Sequence, residues 1–76
     1  MNDDRRKRIS AAAAKIAEAR AELEEVQGEE QDAYDAMPES FQNGEKGNKA
    51  QAAIDALEEA VGSCNDIEMS LETAIE

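Results

Sequence analysis

Apolar side chains recur every three or four residues along two separate stretches of this 76-residue chain. In the first, a heptad seam starting at Ile9 reads Ile9, Ala12, Ile16, Ala19, Leu23, Val26, Glu30, Ala33 and Met37, with Glu30 as its one polar interruption. In the second, the seam reads Ala50, Ile54, Leu57, Val61, Cys64, Ile67 or Glu68, Leu71 and Ile75. Spacing of this kind, sustained over four heptads, belongs to helices that pack along their whole length. No run of β-branched residues reads as a strand. The pattern predicts an all-α fold, an antiparallel two-helix hairpin or helical coiled coil forming a single domain over 1–76. Helix 1 is expected over about 3–37, a hinge over 38–47 and helix 2 over about 48–75.

The boundaries follow from local chemistry. Asn2 or Asp3 suits the start of helix 1, where a short polar side chain caps free amides and early acids favour the positive end of the helix dipole. Met37-Pro38 ends it, because proline lacks the amide a helix interior needs and pushes the preceding residue towards extended dihedrals. Asn43-Gly44 supplies a turn, with Gly47 as a flexible residue and Asn48 as N-cap of helix 2. No regular element is expected between Met37 and Asn48. Placing Met37 opposite Ala50 pairs Ala33 with Ile54, Val26 with Val61, Leu23 with Cys64, Ile16 with Leu71 and Ala12 with Ile75, because both helices rise about 1.5 Å per residue. Gly28 and Gly62 then stand at one level. Each is read first as a tolerated exposed glycine; a close approach by another backbone, or flexing of both helices, is the alternative.

Charge adds direction to this frame. The formal net charge is -11, with no Lys or Arg among the nine acids of residues 21–45 or the seven of residues 50–76. Half of the eight basic residues sit in Arg5-Arg6-Lys7-Arg8. Such a body repels nucleic acid and anionic membranes, so basic surfaces are its natural partners. The basic head, badly placed for the dipole of helix 1, is expected beside Glu72, Glu76 and the terminal carboxylate. The single Cys64 cannot close an intramolecular disulfide, and no apolar run is long enough to span a bilayer. A cytoplasmic location is expected.

A two-helix hairpin has one interface, which only partly buries each large apolar side chain, while ordering the chain costs on the order of 1.5 kcal/mol per residue. Self-association into a four-helix bundle would supply the missing burial, and a homodimer is expected.

Little in the composition points to catalysis. There is no histidine, so the usual nucleophile and base pairings lack a group that titrates near neutrality. Glu30 and Glu68 are polar seam residues out of step with each other, Glu30 facing Leu57 and Glu68 facing Ala19; fixing register or oligomeric state is their expected role. No Glu-x-x-His motif supports a di-iron bundle, and residues 39–48 lack EF-hand spacing. No enzyme activity, cofactor or metal is expected. Tyr34, Met37 and Phe41 cluster at the hinge tip, either capping the core or forming a contact patch. The candidate partner-binding residues are the acidic rows Glu18, Glu22, Glu25, Glu29 and Asp32 on helix 1, and Asp55, Glu59, Asp66 and Glu72 on helix 2. Ordinary solvated helices intersperse lysine to relieve such repulsion; its absence here suggests a negative rod shaped to occupy a basic groove.

The segment Glu29-Glu30-Gln31-Asp32-Ala33-Tyr34-Asp35-Ala36-Met37-Pro38-Glu39-Ser40-Phe41-Gln42, with Gly44-Glu45-Lys46-Gly47 and Ala52-Ala53-Ile54-Asp55-Ala56-Leu57-Glu58-Glu59-Ala60 after it, resembles a group of short uncharacterised bacteriophage and prophage proteins. The likeness covers roughly residues 29–61 and departs at Ala36, where Asn is usual, and at Phe41, where Leu is usual. It implies a phage or mobile-element origin and transfers no activity. Small acidic phage proteins are often inhibitors of host machinery, including anti-CRISPR and DNA-mimicking proteins, so by analogy the expected function is inhibition or modulation of a host protein. The alternative is a structural, self-assembling coiled coil whose partner is another copy.

Overall fold

A computed structural model describes all residues from Met1 to Glu76. Two long antiparallel helices, α1 (Asp3–Asp35) and α3 (Glu45–Ile75), are joined by a single helical turn, α2 (Glu39–Gln42). The result is a helical hairpin, 58 Å long and 14 by 12 Å across. No helix is long and apolar enough to cross a membrane.

Helix α1 starts where its sequence predicts. The Asn2 side chain accepts a hydrogen bond from the Arg5 amide at 2.8 Å, with Asp3 and Asp4 in the first turn. It ends at Asp35, just ahead of Met37-Pro38, as the proline requires. The hinge differs from expectation. Instead of an irregular loop, the Pro38 carbonyl accepts from the amides of Phe41 and Gln42, nucleating the one-turn α2. Helix α3 then begins at Glu45, three residues before the expected start. Asn48 is therefore not its N-cap: its amide donates to the Gly44 carbonyl inside the first turn.

Gly47 is likewise not a flexible linker. It is buried within α3, and a β-carbon there would overlap the carbonyl and Cα of Gln42. Gln42 in turn donates from Nε2 to the Tyr34 carbonyl at 3.0 Å, which also accepts from the Met37 amide, and so ties α2 to the last turn of α1. The tip is thus closed from both sides on Gln42.

The seam also departs from its first reading. On α3 it runs as expected, with Ala50 and Ile54 buried, Leu57, Val61, Cys64, Leu71 and Ile75 half-buried, and Glu68 rather than Ile67 turned inward. On α1, Ile9, Ile16, Leu23, Glu30 and Met37 face inward, but Ala12, Ala19, Val26 and Ala33 are all exposed. Their places are taken by Ala13, Arg20, Gln27 and Tyr34, each one residue on. One residue is about 100° of helix rotation, so the seam trades four apolar side chains for alanine, arginine, glutamine and tyrosine.

The core is correspondingly thin, since Ala50 and Ile54, each 5% exposed, are its only buried apolar residues. Gly28 and Gly62 have nothing within 4 Å of where a β-carbon would sit, so within the hairpin they are exposed helix positions with no backbone packed on them.

Candidate functional site

Every carboxylate of the two expected acidic rows is on the outside. Glu18, Glu22, Glu25, Glu29 and Asp32 on α1, and Asp55, Glu59, Asp66 and Glu72 on α3, are exposed, and no cationic group lies within 4.0 Å of any of them. On α1 the row follows from the inward turn of Ile16, Leu23 and Glu30: Glu18, Glu25 and Asp32 recur every seven residues on the side of the helix away from the seam. Asp55 accepts a hydrogen bond from Gln51 at 3.0 Å, a neutral contact that leaves its charge uncompensated.

Four of the eight cations, Arg6, Arg8, Arg20 and Lys49, are paired with other carboxylates. Arg20, half-buried in the seam, donates from Nε to both oxygens of Glu68 at 3.0 and 3.2 Å, and from a terminal nitrogen to Glu24 at 3.0 Å. These contacts, the Glu68 hydrogen bond foremost, raise the guanidinium above its ordinary pKa. Glu68 was expected at the level of Ala19; Arg20 meets it one residue away. Sequence reasoning missed Arg20 because a seam traced through apolar residues passes over the arginine beside it. The signal available was the polar Glu68 in the facing seam, which demands a partner. Glu30 is half-buried as expected and makes no ion pair.

The basic head is neutralised differently from expectation. Arg6 pairs with Asp3 at 3.2 Å and donates from Nε to the Ile75 carbonyl at 3.1 Å, while Arg8 lies 3.9 Å from Asp4. Neither Glu72 nor Glu76 takes part. The negative end of the α3 dipole attracts the arginine instead, where carbonyl acceptors lack helical partners. Arg6 lies 14 residues before Arg20 and Ile75 only seven after Glu68, so α1 overhangs α3 at the open end and the long arginine reaches back to the last turn of α3. Arg5, Arg8, Ile9 and Ala12 line an open groove of about 360 Å³ there.

At the closed end Tyr34 and Met37 are half-buried and cap the seam, whereas Phe41 is 49% exposed with the Lys46 Nζ 5.4 Å from its ring centre. The three residues therefore separate into two that pack and one that is presented.

A second apolar surface lies beside the seam. A two-fold normal to the common plane of two antiparallel helices swaps them but keeps front and back in place, so equivalent flanks lie on the same side of the hairpin. One side carries Ala12, Ala19, Val26 and Ala33 of α1 with Ala53, Ile67 and Ala74 of α3, all exposed. The opposite side carries Glu24 and Gln31 with Gln51, Glu58, Asn65 and Glu72. The chain matches no protein-family model, no curated protein and no solved structure.

Proposed function

We propose that this chain is a small, non-enzymatic, acidic binding protein of phage type that inhibits or modulates a host protein in the cytoplasm. Its acidic helical surface occupies a basic groove built for a nucleic-acid backbone, in the manner of anti-CRISPR and other DNA-mimicking proteins. The observation that carries this reading is the exposure of nine carboxylates along the rod with no cation near any of them. A folded protein retains such self-repulsion at a cost in stability, and a cationic partner relieves it. The hinge resemblance supplies the phage context, and the presented Phe41 offers an anchor beside the charged faces.

The test is a pull-down from bacterial lysate with the full chain, washed at increasing salt and then with duplex DNA as competitor. Recovery of a nucleic-acid-binding protein that salt and DNA both release supports the reading. A recovered partner that resists both overturns it.

A second reading is favoured by the exposed apolar side of the hairpin. In it the chain self-associates into a four-helix bundle and its first partner is another copy. Sedimentation at low and high salt separates the two, since a tight oligomer insensitive to salt, with no host partner, supports structural self-assembly alone.

A further inference from the structure

We infer that the apolar side of the hairpin is an isologous interface on which a second copy docks antiparallel, with α1 against α1 about a two-fold axis at Ala19. This rests on the self-association reading above and names its face, symmetry and contacts.

Three observations converge on it. The first is the size of the face. On α1 it runs from Ala12 to Ala33, about 32 Å at about 1.5 Å per residue, so a second copy can follow it through four successive heptad layers. The second is charge. Two chains of net charge -11 can approach only through a strip without carboxylates, and the strip of Ala12, Ala19, Val26, Ala33, Ile67 and Ala74 has none. Along the rim of α1 beside it, Arg8 and Lys15 occupy the N-terminal half and Glu22 and Glu29 the C-terminal half. An antiparallel two-fold at Ala19, the midpoint of α1 (Asp3–Asp35), sets Lys15 against Glu22 of the second copy and Arg8 against its Glu29. Lys15, Glu22 and Glu29 have no ion-pair partner within their own chain. A parallel copy would instead place like charges together.

The third observation is shape. The same axis places Val26 of the second copy level with Ala12, and the open groove of about 360 Å³ lined by Arg5, Arg8, Ile9 and Ala12 lies there. A large side chain meets a small one at a cavity, and the symmetry makes this happen twice. Around the axis only the two Ala19 methyl groups meet, so the helices approach closely where they cross. The acidic row of Glu18, Glu25 and Asp32 stays on the outside of the bundle.

The experiment is sedimentation of the full chain and its variants, with helicity by circular dichroism as the folding control. The wild type is expected at the mass of two 8.2 kDa chains. Val26→Glu is expected to weaken the dimer about tenfold or more, because it sets a carboxylate into the face, with helicity unchanged at a position already 43% exposed. Lys15→Glu weakens it as well, and Lys15→Glu combined with Glu22→Lys restores it, a rescue that a merely structural role would not show. In a Cys64→Ala background, Ala19→Cys cross-links to itself on mild oxidation and Ala11→Cys, on the far side of α1, does not. A wild-type monomer overturns both this interface and the self-association reading. A wild-type dimer indifferent to Val26→Glu, or one cross-linked equally well through Ala11→Cys, overturns the interface alone.

Discussion

Arg20 reaches across the seam to bind both carboxylate oxygens of Glu68, at 3.0 and 3.2 Å, with 28% and 23% of the two side chains exposed. This is a half-desolvated ion pair in a layer that a coiled coil would normally fill with leucine. Removing one partner strands the other, whereas replacing both by apolar residues removes the desolvation altogether. Arg20→Leu and Glu68→Leu are each expected to lower the thermal midpoint, and the double variant to melt above both singles. Circular dichroism melts of the four proteins check this. Because the arginine's pKa is raised in the folded state, its share of stability is fully present below the ordinary guanidinium value and lost only as pH climbs past it. Arg20 therefore stays charged at neutral pH.

The glycines give opposite expectations under one substitution. Gly28→Ala and Gly62→Ala add a methyl group to open helix surface and should each stabilise by about 0.5–1 kcal/mol. Gly47→Ala forces α3 away from Gln42 and should destabilise despite its better helix propensity. Urea unfolding midpoints, which separate such small changes in a chain of this size, decide the signs.

Burial decides the next contrast. Ile54 is 5% exposed, and Ile54→Ala is expected to cost about 2–5 kcal/mol, enough to unfold much of so thin a core. Met69 is 65% exposed, and Met69→Ala should change stability by no more than about 0.5 kcal/mol. Equal losses at the two sites would contradict the inward face assigned to α3.

Phe41 is presented at the tip, and its one specific contact is the Lys46 ammonium, worth about 0.5–1 kcal/mol at an exposed site. Phe41→Ala should therefore cost no more than about 1 kcal/mol, a shift of the melting midpoint by several degrees at most, while weakening capture of a partner held at the tip. A large loss of stability with binding intact would assign the ring to the core instead.

Salt offers a further contrast. With fourteen of the 19 side-chain carboxylates unpaired and most ion pairs local to one helix, added sodium chloride should raise the thermal midpoint by screening repulsion along the rod. A hairpin held together by its salt bridges would melt earlier instead.

Much of this fold was legible in the pattern of the chain. The all-α class, the Asn2 cap, the stop before Pro38 and the α3 seam from Ala50 to Ile75 all follow from rules of spacing and capping that act within a few residues. The α1 seam was legible only in half. Ile9, Ile16, Leu23 and Met37 fix one column, but the second column can lie three or four residues on. Choosing apolar Ala12, Ala19 and Val26 over Ala13, Arg20 and Gln27 mistook a flank for the interior. Local hydrophobicity cannot make that choice, since the answer depends on Glu68 in the opposing helix. The hinge misled for a related reason. Asn43, Gly44 and Gly47 read as a loop, yet Gly47 serves to let α3 pack on the backbone of Gln42, a requirement set by tertiary contact. For the surface, exposure of the acidic rows follows directly from the seam, while the division of the tip into packed Tyr34 and presented Phe41 needed the turn of α2 to be known.

The length of the rod sets how well it can imitate a polyanion. Eleven net negative charges over 58 Å amount to one per about 5 Å, against one per about 1.7 Å along duplex DNA. A lone hairpin is therefore a dilute copy of a duplex. Two of them stacked over the same length halve the interval to about 2.6 Å, a linear density between those of a double strand and a single one.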